Sequence, residues 1–538
     1  MTTVTQTSAR RWPKLPRQIY FIIGNEGCER FSFYGMRNIL TQFLVSSSLL
    51  FMASQYVSGV ERQSAAKEVF HTFVLGVYFF PLLGGWLSDR FFGKYKTILY
   101  LSLVYCAGHA CLAMSENNRT GFFFGLFLIA LGSGGIKPLV AAYVGDQLDQ
   151  TNKSVGQFAF DAFYWIINVG SFFASLLMPI FLKSYGPSVA FGIPGVLMFI
   201  ATLVFWLGRH KYVNLPPTPP HPDSFLNVVR SALLGQASSG SGRPGLIVAA
   251  LGLLLAAAFI VLGCIDLARM LSHQTPWLGV TLWWCMGLVV AIGCVGAGAN
   301  MQLDRARARH SQEVIDGARS VLRILVLFFL VTPFWSLFDQ KASTWVLQAA
   351  TMTKPSWFQP SQMQALNPIL VLLLIPFNNA FVYPALKRWG YEATALRRMT
   401  AGIGIAGFSW IIAGSIQLAL EAGTPMSITW QILPYIFLTL GEVLVSATGL
   451  EFAYSQAPLA MKGAIMAFWT LSVTVGNLWV LLTNWAVRNN AVTSLITDAG
   501  MQVISFQMFF FAGFAIVAAG IFGFCASRYS LTDNYRRA

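Results

Sequence analysis

Apolar runs of about 20 residues recur from one end of the chain to the other, separated by short polar or basic breaks. Each is long enough to cross about 30 Å of hydrocarbon as a helix. The pattern predicts spans near 18–45, 66–88, 97–115, 120–146, 157–183 and 188–208, then 245–268 and 276–299, then 319–350, 364–386, 398–420, 429–455, 461–488 and 506–528. That is fourteen helices in a six, two, six arrangement. Between the sixth and seventh runs, Pro216, Pro217, Pro219, Pro220 and Pro222 precede a Ser/Gly-rich stretch, a composition that suits a linker outside the bilayer. The expected layout is a six-helix bundle at 1–211, a cytoplasmic linker at 212–244, an extra helical pair at 245–299, a basic cytoplasmic linker at 300–318 and a second six-helix bundle at 319–538.

Composition agrees: 55% of the 538 residues are hydrophobic and 11% charged, against about 25% charged in soluble domains. The net charge of +15 does not form a nucleic-acid patch. Instead Arg10, Arg11, Lys14 and Arg17 precede the first span, Arg90, Lys94 and Lys96 follow the second, and Arg209 and Lys211 follow the sixth. Arg305, Arg307 and Arg309 precede another, and Lys387, Arg388, Arg397 and Arg398 fill one more gap. Every second loop is basic, which places both termini in the cytoplasm. The seven cysteines show no paired spacing and suggest neither disulfides nor zinc. The first run follows a basic stretch without a small-residue cleavage site, so it is expected to be a retained helix.

Several ionisable residues fall where the bilayer makes them costly, at about 2.5–3.5 kcal/mol each. Glu26, Glu29, Arg30, Tyr34 and Arg37 share one side of the first helix. They form either a self-neutralising packing network or a proton site, in which a carboxylate held by Arg30 takes up a proton when the pair breaks. Lys137 lies in Leu131-Gly-Ser-Gly-Gly-Ile-Lys137-Pro138, where small residues permit close helix approach and the buried ammonium is expected to find an anion. Asp339 and Glu442 supply acids from the second half. Cations at Arg37 and Lys137 facing Glu442, with Asn168 and Ser446 nearby, make a dipolar cavity that fits a zwitterion such as a short peptide. No phosphate-cradling lysine loop and no metal-ligand cluster is apparent, so an ion gradient is the expected energy source and no cofactor is expected. One proton moving through about 100 mV gains about 2.3 kcal/mol.

Gly85-Trp-Leu-Ser-Asp-Arg-Phe-Phe-Gly-Lys94 lies between the second and third helices, with a degraded counterpart around Tyr383 to Arg398. This suits two parallel halves with a midplane site, and the first copy resembles the loop signature of the major facilitator superfamily. Glu26-Gly-Cys-Glu29-Arg30-Phe-Ser-Phe-Tyr34-Gly-Met-Arg37 resembles the helix-one signature of the proton-dependent oligopeptide transporters. Gly134-Gly-Ile-Lys137-Pro138, Phe163-Tyr164-Trp-Ile-Ile-Asn168 and Gly441-Glu442-Val-Leu-Val-Ser446-Ala-Thr-Gly449-Leu-Glu451-Phe-Ala-Tyr454 match further family blocks. His71-Thr-Phe-Val and the segment Phe334 to Met352 are similar to the animal intestinal and renal members, although the two extra helices look like bacterial ones.

The resemblance implies an all-α major facilitator fold in a bacterial inner membrane, importing di- and tripeptides with protons as a monomer that is not an enzyme and binds no nucleic acid. Nitrate or another small anion is the alternative cargo. It also implies that Tyr34, Tyr78, Tyr164, Asn168 and Asn367 line the peptide site, with Trp335 and Trp469 as aromatic walls. His71 would join Glu26, Glu29 and Arg30 in proton coupling, and Arg37 with Asp339 would form an inter-bundle latch. Phe33 and Phe338 depart from the family pattern, where a tyrosine and a second acid often stand.

Overall fold

The computed structural model describes residues 15–47, 49, 59–148, 156–217, 221–235, 243–271, 278–456 and 461–529. Arg10, Arg11, Lys14, Pro219, Pro220 and the Ser/Gly-rich stretch at 236–242 lie outside the described residues, as do the side chains of Glu451 and Tyr454.

The first half contains α1 (Arg17–Ser46), α2 (Gly59–Phe79), α3 (Pro81–Leu87), α4 (Gly93–Met114), α5 (Arg119–Asp146) and α6 (Gly156–Leu207). Next come a short α7 (Phe225–Leu234) and the hairpin α8 (Pro244–Leu271) and α9 (Leu278–Met301). The second half holds α10 (Gln312–Asp339), α11 (Thr344–Thr351), α12 (Leu366–Phe377), α13 (Tyr383–Arg388), α14 (Ala395–Glu421), α15 (Ile432–Glu442) and α16 (Thr448–Gln456), then α17 (Lys462–Ala486), α18 (Asn490–Asp498) and α19 (Val503–Ser527).

Among the described residues, eleven helices are long and apolar enough to cross a membrane. Helix α1 is not one of them, because its five charged residues lower its hydropathy. Two of the eleven are continuous stretches of 54 and 50 residues, at 61–114 and 158–207. The second breaks at Gly186, where φ is 82° and helical geometry fails between Pro179 and Pro187.

Buried apolar side chains form two large cores. One is drawn from residues 15–212 with Ala342, the other from residues 225–522. A third, small cluster of Leu75, Leu282, Cys285, Leu478 and Leu481 seats α9 against both α2 and α17.

The glycines of the Lys137 motif act by allowing backbone contact. A Cβ on Gly84 of α3 would run into the carbonyl of Gly135 on α5, and one on Gly134 would lie 2.5 Å from the Val77 carbonyl oxygen. This approach brings Lys137 to the level of Tyr78.

Five-residue π turns follow α3 at Ser88–Phe92 and α12 at Asn378–Val382, at matching places in the two halves. The first lies inside, and the second directly before, the two segments in which the sequence shows a weak repeat. A third π turn, Val443–Ala447, interrupts the helix directly after Glu442.

The segment expected to be a linker contains α7, whose Phe225, Val228, Val229, Ala232 and Leu233 are buried. Their spacing of i, i+3, i+4, i+7 and i+8 is a helical stripe that the Pro-rich flank obscured. Helix α10 also begins earlier than expected, at Gln312, because the Ser311 side chain caps it by accepting a bond from the Val314 N–H.

Candidate functional site

Between the two halves lies a cavity of about 270 Å³. Tyr34 and Arg37 from α1, Tyr78 from α2, Tyr164 and Asn168 from α6, Trp335 and Asp339 from α10, Asn367 from α12, Glu442 from α15, Ser446 from the π turn and Trp469 from α17 all line it. Thus the residues expected to meet substrate converge, with the exception of Lys137. Glu26, Glu29, Arg30 and His71 also stand outside the lining of this cavity.

The shape of α10 sets the latch. Pro333 lies inside the helix and costs a backbone hydrogen bond; Thr332 donates to the Phe329 carbonyl at 2.8 Å, and Trp479 Nε1 donates to the Thr332 hydroxyl at 2.8 Å. The helix ends at Asp339, and its Oδ1 accepts a bond from Arg37 at 2.6 Å, with both side chains buried. The other carboxylate oxygen accepts from Asn477 Nδ2 at 2.7 Å. The Asn477 Oδ1 lies 2.7 Å from His71 Nδ1, and His71 Nε2 lies 2.9 Å from the Ser343 hydroxyl. A continuous chain therefore runs from Arg37 through Asp339 and Asn477 to His71.

On the opposite wall, Glu442 Oε2 accepts a 2.5 Å bond from Asn367 Nδ2, and Asn367 Oδ1 accepts from Lys341 Nζ at 2.7 Å. Lys341 is buried, with its ammonium 3.3 Å from the centre of the Phe338 ring. Sequence reasoning passed over Lys341 and Asn477. For Lys341 the signal was available, since an intramembrane lysine is itself a functional flag. For Asn477 only an amide in an apolar run marked it.

Lys137 differs from expectation. Among the described residues it has no carboxylate at ion-pair distance; its Nζ lies 3.6 Å above the Phe33 ring centre and 4.8 Å from that of Tyr78. The ring of Phe33 offers a π face, which accommodates the cation. Along α1, Arg30 Nε bridges Glu26 at 2.6 Å and Glu29 at 2.9 Å, so one guanidinium serves two buried carboxylates. Ser133 of α5 donates to the other Glu29 oxygen at 3.4 Å.

A family model described as the POT family matches residues 95–504, well over half of the chain. The chain belongs to the POT family. A model described as MFS/sugar transport protein also matches residues 1–157. The crystal structure of an auto-inhibited POT family peptide transporter superposes with a TM-score of 0.92 at 61% identity, covering 97% of this chain and 99% of that one. A structure of the POT family transporter PepTSo gives 0.91 at 61% identity, covering 97% and 100%. Peptide transporter 3 of Caenorhabditis elegans is 34% identical over 76% of this chain and 51% of its own length. Human solute carrier family 15 member 1 is 28% identical over 84% of this chain and 59% of its own length. The POT chain described here thus spans about half the length of the curated relatives it matches. It is a multi-pass protein of a bacterial inner membrane with the all-α fold of the major facilitator type, in a family of transporters and not of enzymes.

Proposed function

We propose that this POT family member imports di- and tripeptides together with protons by alternating access. The observation that carries the reading is the dipolar cavity: an acid, Glu442, on one wall, and cations at Arg37 and Lys341 around a volume of about 270 Å³. That volume sits just below the roughly 300–1,000 Å³ of ordinary small-molecule sites, in keeping with short peptides. The peptide ammonium replaces the Asn367 amide at Glu442, and its carboxylate takes Arg37 once Asp339 lets go, with Lys341 as a second cation. Lys137 can join only by leaving the Phe33 ring. Tyr34, Tyr78, Tyr164, Asn168 and Ser446 offer polar contacts between Trp335 and Trp469, so length between the charged ends governs selection more than side-chain identity.

Proton coupling has two places to act. Protonation along the His71–Asn477–Asp339 chain weakens the hold of Asp339 on Arg37, and hence the latch. In the Glu26–Arg30–Glu29 triad, two carboxylates share one guanidinium, so one can be protonated while the other stays paired. The similar proteins, among them a proton-dependent oligopeptide family transporter at 58% identity, support the same cargo.

In the proposed topology the stretches at 61–114 and 158–207, each about 75–80 Å as straight helix, cross twice; with α1 the chain makes fourteen passes, two six-helix bundles at 15–211 and 312–529 around the α8–α9 pair. An even number keeps both termini on one side, and the basic alternate loops make that side the cytoplasm. The latch end is then periplasmic and closed, so the cavity communicates inward. One chain forms the whole cavity, which supports a working monomer.

The test is uptake of labelled dialanine into proteoliposomes under an imposed inward proton gradient. Wild type accumulates the peptide, Glu442→Gln loses uptake, and His71→Ala retains counterflow while losing gradient-driven accumulation. Absence of uptake by correctly inserted wild type across several peptides would sink the assignment and favour a small anion as cargo.

A further inference from the structure

The α8–α9 hairpin has no part in the transport reading, yet it borders a groove of about 520 Å³ between α9, α10 and α17. Its geometry follows from how α9 is held. Toward α8, α9 is packed backbone to backbone: a Cβ on Gly298 would strike the Gly245 carbonyl, and one on Gly252 would strike Cys294. One end of α9 is fixed by Leu282 and Cys285 against Leu478 and Leu481, the other by Ala299 in the second core. Between these anchors the face bearing Gly293 and Gly296 stands off from α10. A Cβ on Gly293 meets nothing within 4 Å, and one on Gly296 meets only the Leu322 side chain, at 3.5 Å.

The groove is apolar along most of its length, so water has few partners there. Val326 and Phe329 on its lining are exposed, which opens it to the surrounding hydrocarbon. From Val289 to Asn300 it runs about 16 Å along α9, at 1.5 Å per residue, or roughly half of a 30 Å hydrocarbon core, the depth of one leaflet. At the Asn300 end stands Arg323, exposed and without an ion-pair partner among the described residues. That end adjoins the basic linker of Arg305, Arg307 and Arg309.

We propose that this groove is a binding site for one acyl chain of an anionic phospholipid, with the lipid phosphate held by the Arg323 guanidinium beside the Asn300 amide. A guanidinium matches phosphate oxygens in a two-point contact, and basic pockets between transmembrane helices on the cytoplasmic side hold anionic head groups. The bound chain fills the gap that the glycines leave and fixes the hairpin against the second half. It also supports the substrate cavity: Phe328, in the groove wall, packs edge-on against Trp469 with ring centres 5.2 Å apart, and Trp469 lines the central cavity.

The experiment titrates the full-length, delipidated protein with phosphatidylglycerol or phosphatidylcholine and reads retained lipid by native mass spectrometry, which is independent of peptide transport. Wild type retains phosphatidylglycerol over phosphatidylcholine by about fivefold, the effect of one basic group at an anionic surface. Arg323→Gln removes that preference, and Gly293→Leu, which fills open space, loses the retained lipid of either type. Equal retention of the two lipids by wild type, or retention unchanged in both variants, would overturn the site. Arg323 is exposed, so its variant keeps the test decisive should Gly293→Leu fold poorly.

Discussion

Phe33 and Phe338 each lie beneath a lysine, Lys137 at 3.6 Å and Lys341 at 3.3 Å from the ring centre. A ring face stabilises a desolvated ammonium without using a carboxylate, so Asp339 is left for Arg37 and Glu442 for Asn367 and the substrate. Phe33→Leu is therefore expected to lower stability by roughly 0.5–2 kcal/mol, seen as a reduced thermal midpoint in detergent, whereas Phe33→Tyr keeps the face and the midpoint. Asn477 is the residue through which His71 reaches the latch, with bonds of 2.7 Å on either side. Asn477→Ala should reduce gradient-driven uptake by about tenfold or more, the scale of a lost hydrogen bond to a charged group, while counterflow persists. Equal loss in both assays would make Asn477 a structural amide and remove it from coupling.

At the scale of helices, close approach and local unwinding place the groups. The contact of α3 with α5 depends on the missing side chain at Gly84, because any Cβ there meets the Gly135 backbone, which has no flexible end to move aside. Gly84→Ala should cost about 1–3 kcal/mol, as overpacking does. Gly85→Ala is the internal control, since a Cβ at Gly85 meets nothing within 4 Å and its thermal midpoint should match wild type. The π turn at Val443–Ala447 follows Glu442 directly and holds Ser446. It widens the backbone where two substrate-facing groups must point into the same cavity.

Across the whole molecule, the two cores are joined on the side where α1 ends. Gln42 meets Ser361 at 2.8 Å, Thr41 meets the Ala342 carbonyl at 3.0 Å, and Gln364 meets the Asn38 carbonyl at 3.2 Å. Arg488, in the turn after α17, pairs with the buried Glu68 of α2 at 2.6 Å, and Lys67 donates to Gln507 at 3.2 Å. Breaking the Arg488–Glu68 pair leaves an uncompensated buried group on one side. Glu68→Gln should accordingly shift the population toward opening at this end, with longer spin-label distances between residues 47 and 356 by pulsed dipolar spectroscopy. An unchanged distribution would exclude the pair from the closure.

The apolar helices were legible in the chain because hydrophobic length is a local property, read over about 20 residues. The charged face of α1 and the break of α6 between 183 and 188 were legible for the same reason, whereas the convergence of Arg37, Asp339 and Glu442 on one cavity was inferred from the cost of intramembrane charge and from the family resemblance. Misreadings arose where local composition and packing disagree. The apolar stripe of α7 was masked by its Pro-rich flank, and α10 began seven residues early under its Ser311 cap. Apart from the Arg37–Asp339 latch, which the family resemblance implied, partner choice was beyond the sequence. Arg37 and Asp339 are 302 positions apart, and His71 and Asn477 are 406. Lys137 and Lys341 could each have met a carboxylate or a ring. Only the tertiary structure decided between them, because a buried charge takes the partner that packing brings within about 4 Å, and no local pattern encodes that distance.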